Sequence, residues 1–173
     1  MAHSRAMDIS GTQLRVVRAA LFTALVVTLS ALVPAVADGL LCDAVILVKA
    51  ADPAVERVAD ALGASVVVDS EGAWAQGARQ AKRDWILCLA DGDVPSDGWI
   101  RALDRFIAMS APERRFGRFR RAAGLRQVAL DLFAPPGIRA GDFVHRSLLV
   151  AGEVRRPHRI GAVIARDPVL GGA

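Results

Sequence analysis

Tyrosine is absent from this 173-residue chain, and aromatic residues make up only 5% of it, as six Phe and three Trp. That leaves no aromatic platform on which successive bases could stack, so single-stranded nucleic acid is disfavoured as a partner. Cysteine occurs twice and histidine three times. One cysteine pair can build neither a disulfide scaffold nor a four-cysteine zinc site. No fixed-period repeat is found, which sets aside collagen-like, coiled-coil and solenoid architectures. What the chain does have is apolar residues, 53% against 23% charged. Such a composition excludes intrinsic disorder, and the length suits one domain of about 100–200 residues.

The formal net charge is +4, but the positive charge is unevenly placed. Between Ala111 and Ile160 eleven arginines face four acids, Glu113, Asp131, Asp142 and Glu153. A basic face of this kind attracts phosphate, whether on a nucleotide, a nucleic acid or an anionic membrane. Its densest part, Arg114 to Arg121, interleaves arginine with Phe116 and Phe119. The ordinary reading is a strand or loop with rings inward and charges in water. Two functional readings stand beside it: contact with nucleic acid or an anionic lipid surface, and direct grip on a diphosphate by one or two guanidinium forks.

Along the chain we expect a loose tail over residues 1–13, an α/β half over 14–110, and an arginine-rich extension of the same domain over 111–173. The run from Ala19 to Ala37 carries no charge and admits three readings. As a transmembrane helix it barely reaches the required length of about 20 residues. As a signal peptide it has basic residues ahead of it, Arg15 and Arg18, and a small-x-small end at Ala35 to Ala37. As the first β-α unit of a sheet it supplies a strand over Leu14 to Val17, a helix over Leu21 to Val36, and Gly39 as its C-cap.

The downstream sequence favours the third reading. Ala44 to Lys49 is a β-branched run of the kind that forms a strand covered on both faces. Asp52 and Pro53 start a helix that Gly63 ends. Ser65 to Val68, a helix over Trp74 to Lys82, a strand over Trp85 to Leu89 and a helix over Trp99 to Met109 continue the alternation. Further strands are expected at Arg118 to Arg120 and, as an edge, at Gly161 to Ala165. Strands alternating with helices at short spacing imply βαβ units in a mostly parallel sheet, a Rossmann-like α/β sandwich of three layers.

In such a sheet chemistry is sought just beyond the carboxyl ends of the strands. After Leu89 comes Ala90-Asp91-Gly92-Asp93. Two carboxylates two residues apart can hold a hard cation, Mg²⁺ or Mn²⁺, and the bland alternative is an acidic turn. Cys88 and Cys42 read as structural, and Trp74, Trp85 and Trp99 as packing residues. His145, close to Asp142 in sequence, is placed to line a pocket.

The stretch Trp85 to Trp99 (WILCLADGDVPSDGW) resembles the metal-binding segment of family 2 glycosyltransferases, which have the GT-A fold. Thr28 to Leu41, Asp43 to Val48, Asp52 to Val68 and Gly141 to Ser147 are similar to further pieces of that family, in the same order, over about residues 14–150. The resemblance implies transfer of a hexosyl group from a nucleotide-diphosphate sugar to an acceptor hydroxyl. It implies Asp91 and Asp93 as metal ligands, Asp52, Asp91 and Arg118 on the nucleotide side, and Asp142 on the acceptor side as the available catalytic carboxylate. It implies a cytoplasmic protein with peripheral membrane contact through the basic third, export behind a signal peptide over residues 1–37 being the alternative.

The chain also departs from that pattern. Laid without gaps, the family's two acidic positions fall on Ala90 and Gly92, and a one-residue bulge is needed to bring Asp91 and Asp93 into place. Lys49 stands where the family has an acid that contacts the base, and lysine cannot accept a hydrogen bond. The family's opening loop and its catalytic acid pair have no counterpart. The second functional reading is therefore a non-catalytic binding or assembly module of the same fold.

Overall fold

The computed structural model describes residues 9–68, 73–109, 115–122, 137–153 and 156–166. Helix α1 (Ile9–Ala37) is continuous over 29 residues. The expected tail thus gives way to helix at Ile9, and Leu14 to Val17, expected as a strand, lies inside α1. The local reason is that neither glycine nor proline interrupts the chain between Gly11 and Pro34, while alanine and leucine favour propagation. Gly39 ends the helix at φ +72°, its N–H donating to Val36, and the Leu40 N–H donates to Ala35. Among the described residues no helix is long and apolar enough to cross a membrane.

Strands β1 (Val45–Val48) and β2 (Ser65–Val68) pair in parallel through helix α2 (Pro53–Leu62). The caps of α2 are those its sequence announces. The Ala54 N–H donates to the Asp52 carboxylate at 2.8 Å, Pro53 opens the first turn, and Gly63 closes it at φ +68°. Leu25 of α1, Ile46 of β1 and Ala59 of α2 are the buried centre of this unit.

Helix α3 (Ala73–Gln80) leads to β3 (Trp85–Leu87), β4 (Asp93–Pro95) and helix α4 (Trp99–Ala108). Strands β5 (Phe116–Arg121) and β6 (Asp142–His145), helix α5 (Arg146–Ala151) and β7 (His158–Arg166) complete the chain. The second sheet runs in the order β3-β6-β5-β7-β4. Only β5 and β7 are parallel in it; the other three ladders are antiparallel. The protein is therefore mixed α/β, and the sheet is not the mostly parallel one that the alternation implies. The later strands β6 and β7 join the sheet mainly in antiparallel pairs, β6 beside β3 and β5 and β7 beside β4, which local helix–strand alternation does not specify. Strand β7, expected at an edge, lies between β5 and β4, and the short β4 is the edge instead.

Each face of the second sheet has its own core. On one side α4 lays Trp99, Leu103 and Phe106, and α1 lays Leu32 and Ala35, against Phe119, Phe143, Ile160, Ala162 and Ile164. Trp85 stacks on Phe143 with centroids 4.9 Å apart and meets Phe106 edge-on. On the other side Ala78 of α3 and Leu148 and Leu149 of α5 cover Cys88, Phe116 and Val144. Ala134 to Pro136 lie outside the described residues.

Gly117 sets the spacing between β5 and α4. A Cβ there would stand 2.6 Å from Ile160 Cδ1 and 2.9 Å from Phe106 Cζ. Gly117→Ala is therefore expected to cost about 1–3 kcal/mol through overpacking, read from the urea midpoint. An unchanged midpoint would show that Ile160 can swing clear.

Candidate functional site

The two sheets face one another across a cleft of about 620 Å³. Strand β1 pairs only with β2, and β3 only with β6, so among the described residues each leaves one edge open. Both lines of residues border the cleft, β1 with Val45 to Val48 and β3 with Trp85 to Leu87. Leu25, Thr28, Leu29 and Leu32 of α1 and Trp74, Gly77 and Ala78 of α3 also line it. Gly77 allows the close approach of α3 to β1, since a Cβ there would meet Leu47 Cδ2 at 2.9 Å. Where the strands begin, two bonds tie the walls together: the Lys82 N–H donates to Asp43 at 2.9 Å, and Arg83 Nε to Cys42 Sγ at 3.0 Å. Where they end, Lys49 and Asp91 border the cleft. Its walls are thus mainly apolar, with one cation and one carboxyl where the strands give way to loops.

The acidic turn after β3 is built around Gly92, at φ +84°. Its N–H reaches α1, donating to Thr28 Oγ1 at 2.8 Å and to the Ala24 carbonyl at 3.1 Å. The turn separates its two carboxylates. Asp91 is exposed, whereas Asp93 is wholly buried. Asp93 accepts from the Ala90 N–H at 2.8 Å and is ion-paired with Arg121. Arg121 in turn donates to the Ala140 carbonyl at 3.0 Å. Loss of solvent around Asp91, with the Asp93 charge adding to it, raises its carboxyl above the ordinary value against an opposing pull from Arg166.

Asp142 is also wholly buried. It lies opposite Arg118 in the β5–β6 ladder, and the guanidinium grips it at both oxygens, Nη2 to Oδ2 at 2.9 Å. The Arg139 N–H donates to the same carboxylate at 2.9 Å. Arg118 donates further to the Gly137 carbonyl and lies over the Phe116 ring. So Arg118 and Asp142, expected on the nucleotide and acceptor sides, are each other's partners. Asp52 serves as the cap of α2. His145 caps α5, with Ser147 N–H donating to its Nδ1 at 3.3 Å, and presents its ring edge-on to Trp85. Burial, with Asp142 adding to it, pushes the Cys88 thiol far above its usual range, as suits a packing residue.

No family model, curated protein or solved structure matches this chain. The reading of the site therefore rests on its own chemistry. A cation shared by Asp91 and Asp93 does not fit this arrangement, because a guanidinium already occupies the buried carboxylate, and among the described residues no cluster of three acidic, histidine or cysteine side chains stands elsewhere. Arg121 and Thr28 were not singled out by the sequence. Their partners lie 28 and 64 residues away, beyond any local pattern.

Two outcomes are expected. Asp142→Ala leaves Arg118 without its counter-ion and should cost about 3 kcal/mol in urea unfolding; a loss below about 1 kcal/mol would show that the pair does not hold the ladder. For Asp91, a raised value in the folded chain means that folding favours the protonated form. Its stabilising effect is present at low pH and disappears as pH rises through the folded value. Asp91→Asn, neutral at every pH, should match the wild type near about pH 3 and melt above it near about pH 7. A lower melting temperature at neutral pH would overturn the assignment.

Proposed function

We propose that the chain is a glycosyltransferase-like protein of the GT-A type that binds a nucleotide-diphosphate sugar in the cleft between β1 and β3. The observation carrying this reading is the cleft itself, apolar along its walls and bordered by Lys49 and Asp91 at the carboxyl ends of two strands. Ligands of open α/β sheets gather at such strand ends. The apolar walls would take the nucleobase and the ribose carbons, excluding water from their faces. The Lys49 ammonium would neutralise the diphosphate. The Asp91 carboxyl, an acceptor when ionised, suits sugar or ribose hydroxyls.

Binding without transfer is the form of this reading that the carboxylates support. Inverting transfer needs a base to take the acceptor proton, within hydrogen-bond reach of it. Asp142, the acceptor-side candidate, is wholly buried and gripped at both oxygens by Arg118, which leaves it out of reach of an acceptor hydroxyl. Asp93 is held likewise by Arg121, so no step of the proposal runs through a metal.

The test is the melting temperature of the full-length chain against UDP-, GDP- and dTDP-sugars, with and without Mn²⁺, in the wild type and in Lys49→Ala. A ligand at about 100 times its Kd adds about 2.7 kcal/mol, a rise of about 5–10 °C for a domain of this size. One nucleotide is expected to raise the wild type without Mn²⁺ and to leave Lys49→Ala unmoved. No shift with any of them, or an equal shift in the variant, overturns the assignment. A shift that requires Mn²⁺ would restore Asp91 and Asp93 as ligands.

A further inference from the structure

Away from the cleft, the described residues cover the face of the second sheet that carries Arg118 over only part of its width. Side chains alternate along β5, so Phe119 enters the core beneath α4 while Arg118 and Arg120 emerge on the opposite side. In β7, Ile160, Ala162 and Ile164 turn inward, which places Arg159 on the same side as Arg118, its direct partner across the parallel ladder. Helices α3 and α5 cover this face over β3 and β6 and the Phe116 end of β5. Beyond them Arg118, Arg120, Pro157 and Arg159 border an open pocket of about 600 Å³.

The three arginines of this pocket differ in one respect. The charge of Arg118 is matched by Asp142. Arg120 and Arg159 are exposed, and among the described residues no carboxylate pairs with either. Arg120 and Arg159 stand on neighbouring strands and border the same pocket, so their like charges repel one another unless an anion lies between them. Each guanidinium is a planar fork that matches two oxygens of a phosphate. Exposed Arg156 lies on the chain leading into β7, next to Pro157 of the pocket, and adds to the local positive field.

We propose that Arg120 and Arg159 form a binding site for a phosphate-bearing group, one carrying at least two negative charges. The site is separate from the cleft: β5 and β7 are the third and fourth strands counted from the open edge of β3. A single carboxylate would satisfy only one fork, whereas a phosphate monoester or a diphosphate presents enough oxygens for both. Such a group occurs free in solution and on the headgroup of a lipid such as phosphatidic acid, and the two sources differ only in what the phosphate is attached to.

The experiment uses the full chain and two probes. Calorimetric titration with inorganic pyrophosphate reports the free anion. Co-sedimentation with phosphatidylcholine vesicles, with and without phosphatidic acid, reports the headgroup. Both are run on the wild type, on Arg120→Gln/Arg159→Gln, and on a control of equal charge, Arg57→Gln/Arg105→Gln, whose arginines are exposed on α2 and α4. Binding of either probe is expected, weakened at least tenfold in Arg120→Gln/Arg159→Gln and less than twofold in the control. Pyrophosphate titrations are repeated in the Lys49→Ala background, where the cleft has lost its cation, so that failure here and failure of the nucleotide site are distinguishable. Because both arginines are exposed, the double variant is expected to melt with the wild type. Pyrophosphate binding alone assigns a soluble ligand, and vesicle binding alone a lipid headgroup. No binding of either probe, or equal weakening in the control, overturns the proposal.

Discussion

Two ion pairs, each joining a buried carboxylate to a part-exposed arginine, organise the second sheet, and both arginines come from β5. Arg118 holds Asp142 across the β5–β6 ladder, and Arg121 holds Asp93 in the turn that enters β4. A carboxylate with no exposed surface would be untenable without such a partner. Net stabilisation from pairs of this kind is small, because desolvation offsets most of the attraction. What they impose is position. A slip of β5 by one residue would turn Arg118 into the aromatic core and leave Asp142 buried without a counter-ion. The register that puts Phe119, Phe143 and Ile160 on one face is thus the register that satisfies both acids.

The same constraint shapes the chemistry open to the molecule. Of Asp91, Asp93 and Asp142, the fold turns two inward as structural counter-ions. Asp91 stays at the surface, beside a cleft whose walls are supplied by α1, α3 and the open edges of β1 and β3. Gly92 makes this division possible: its positive φ reverses the chain between Asp91 and Asp93, and its N–H anchors the turn to Thr28. On the proposed reading recognition falls to the apolar walls, Lys49 and Asp91, while the positive charge of Arg120 and Arg159 remains on a different face of the sheet.

Much of the first half of the fold was legible in the chain. Asp52-Pro53 and Gly63 delimit α2 as their capping chemistry dictates, Val45 to Val48 and Ser65 to Val68 are strands, and Ile100, Leu103, Phe106 and Ile107 form one face of α4 that packs against the sheet. The β-branched residues of Leu14 to Val17 misled, because they sit in a run with no helix breaker and belong to α1. The direction of the later strands was not legible either. The phenylalanines of β5, Phe116 and Phe119, enter opposite faces of the sheet, and nothing in their spacing says which neighbour lies alongside or whether it runs parallel.

For the site the boundary is drawn by range. Residue type and local spacing determined the helix caps, the acidic turn after β3 and the basic excess of the last third, because each depends on atoms only a few residues apart. Tertiary structure alone decided that Arg118 would neutralise Asp142, that Arg121 would reach Asp93, and that Arg120 and Arg159 would border one pocket with no acid paired to them among the described residues. Those outcomes depend on which strands become neighbours, and strand pairing joins residues whose separation along the chain leaves no periodic trace.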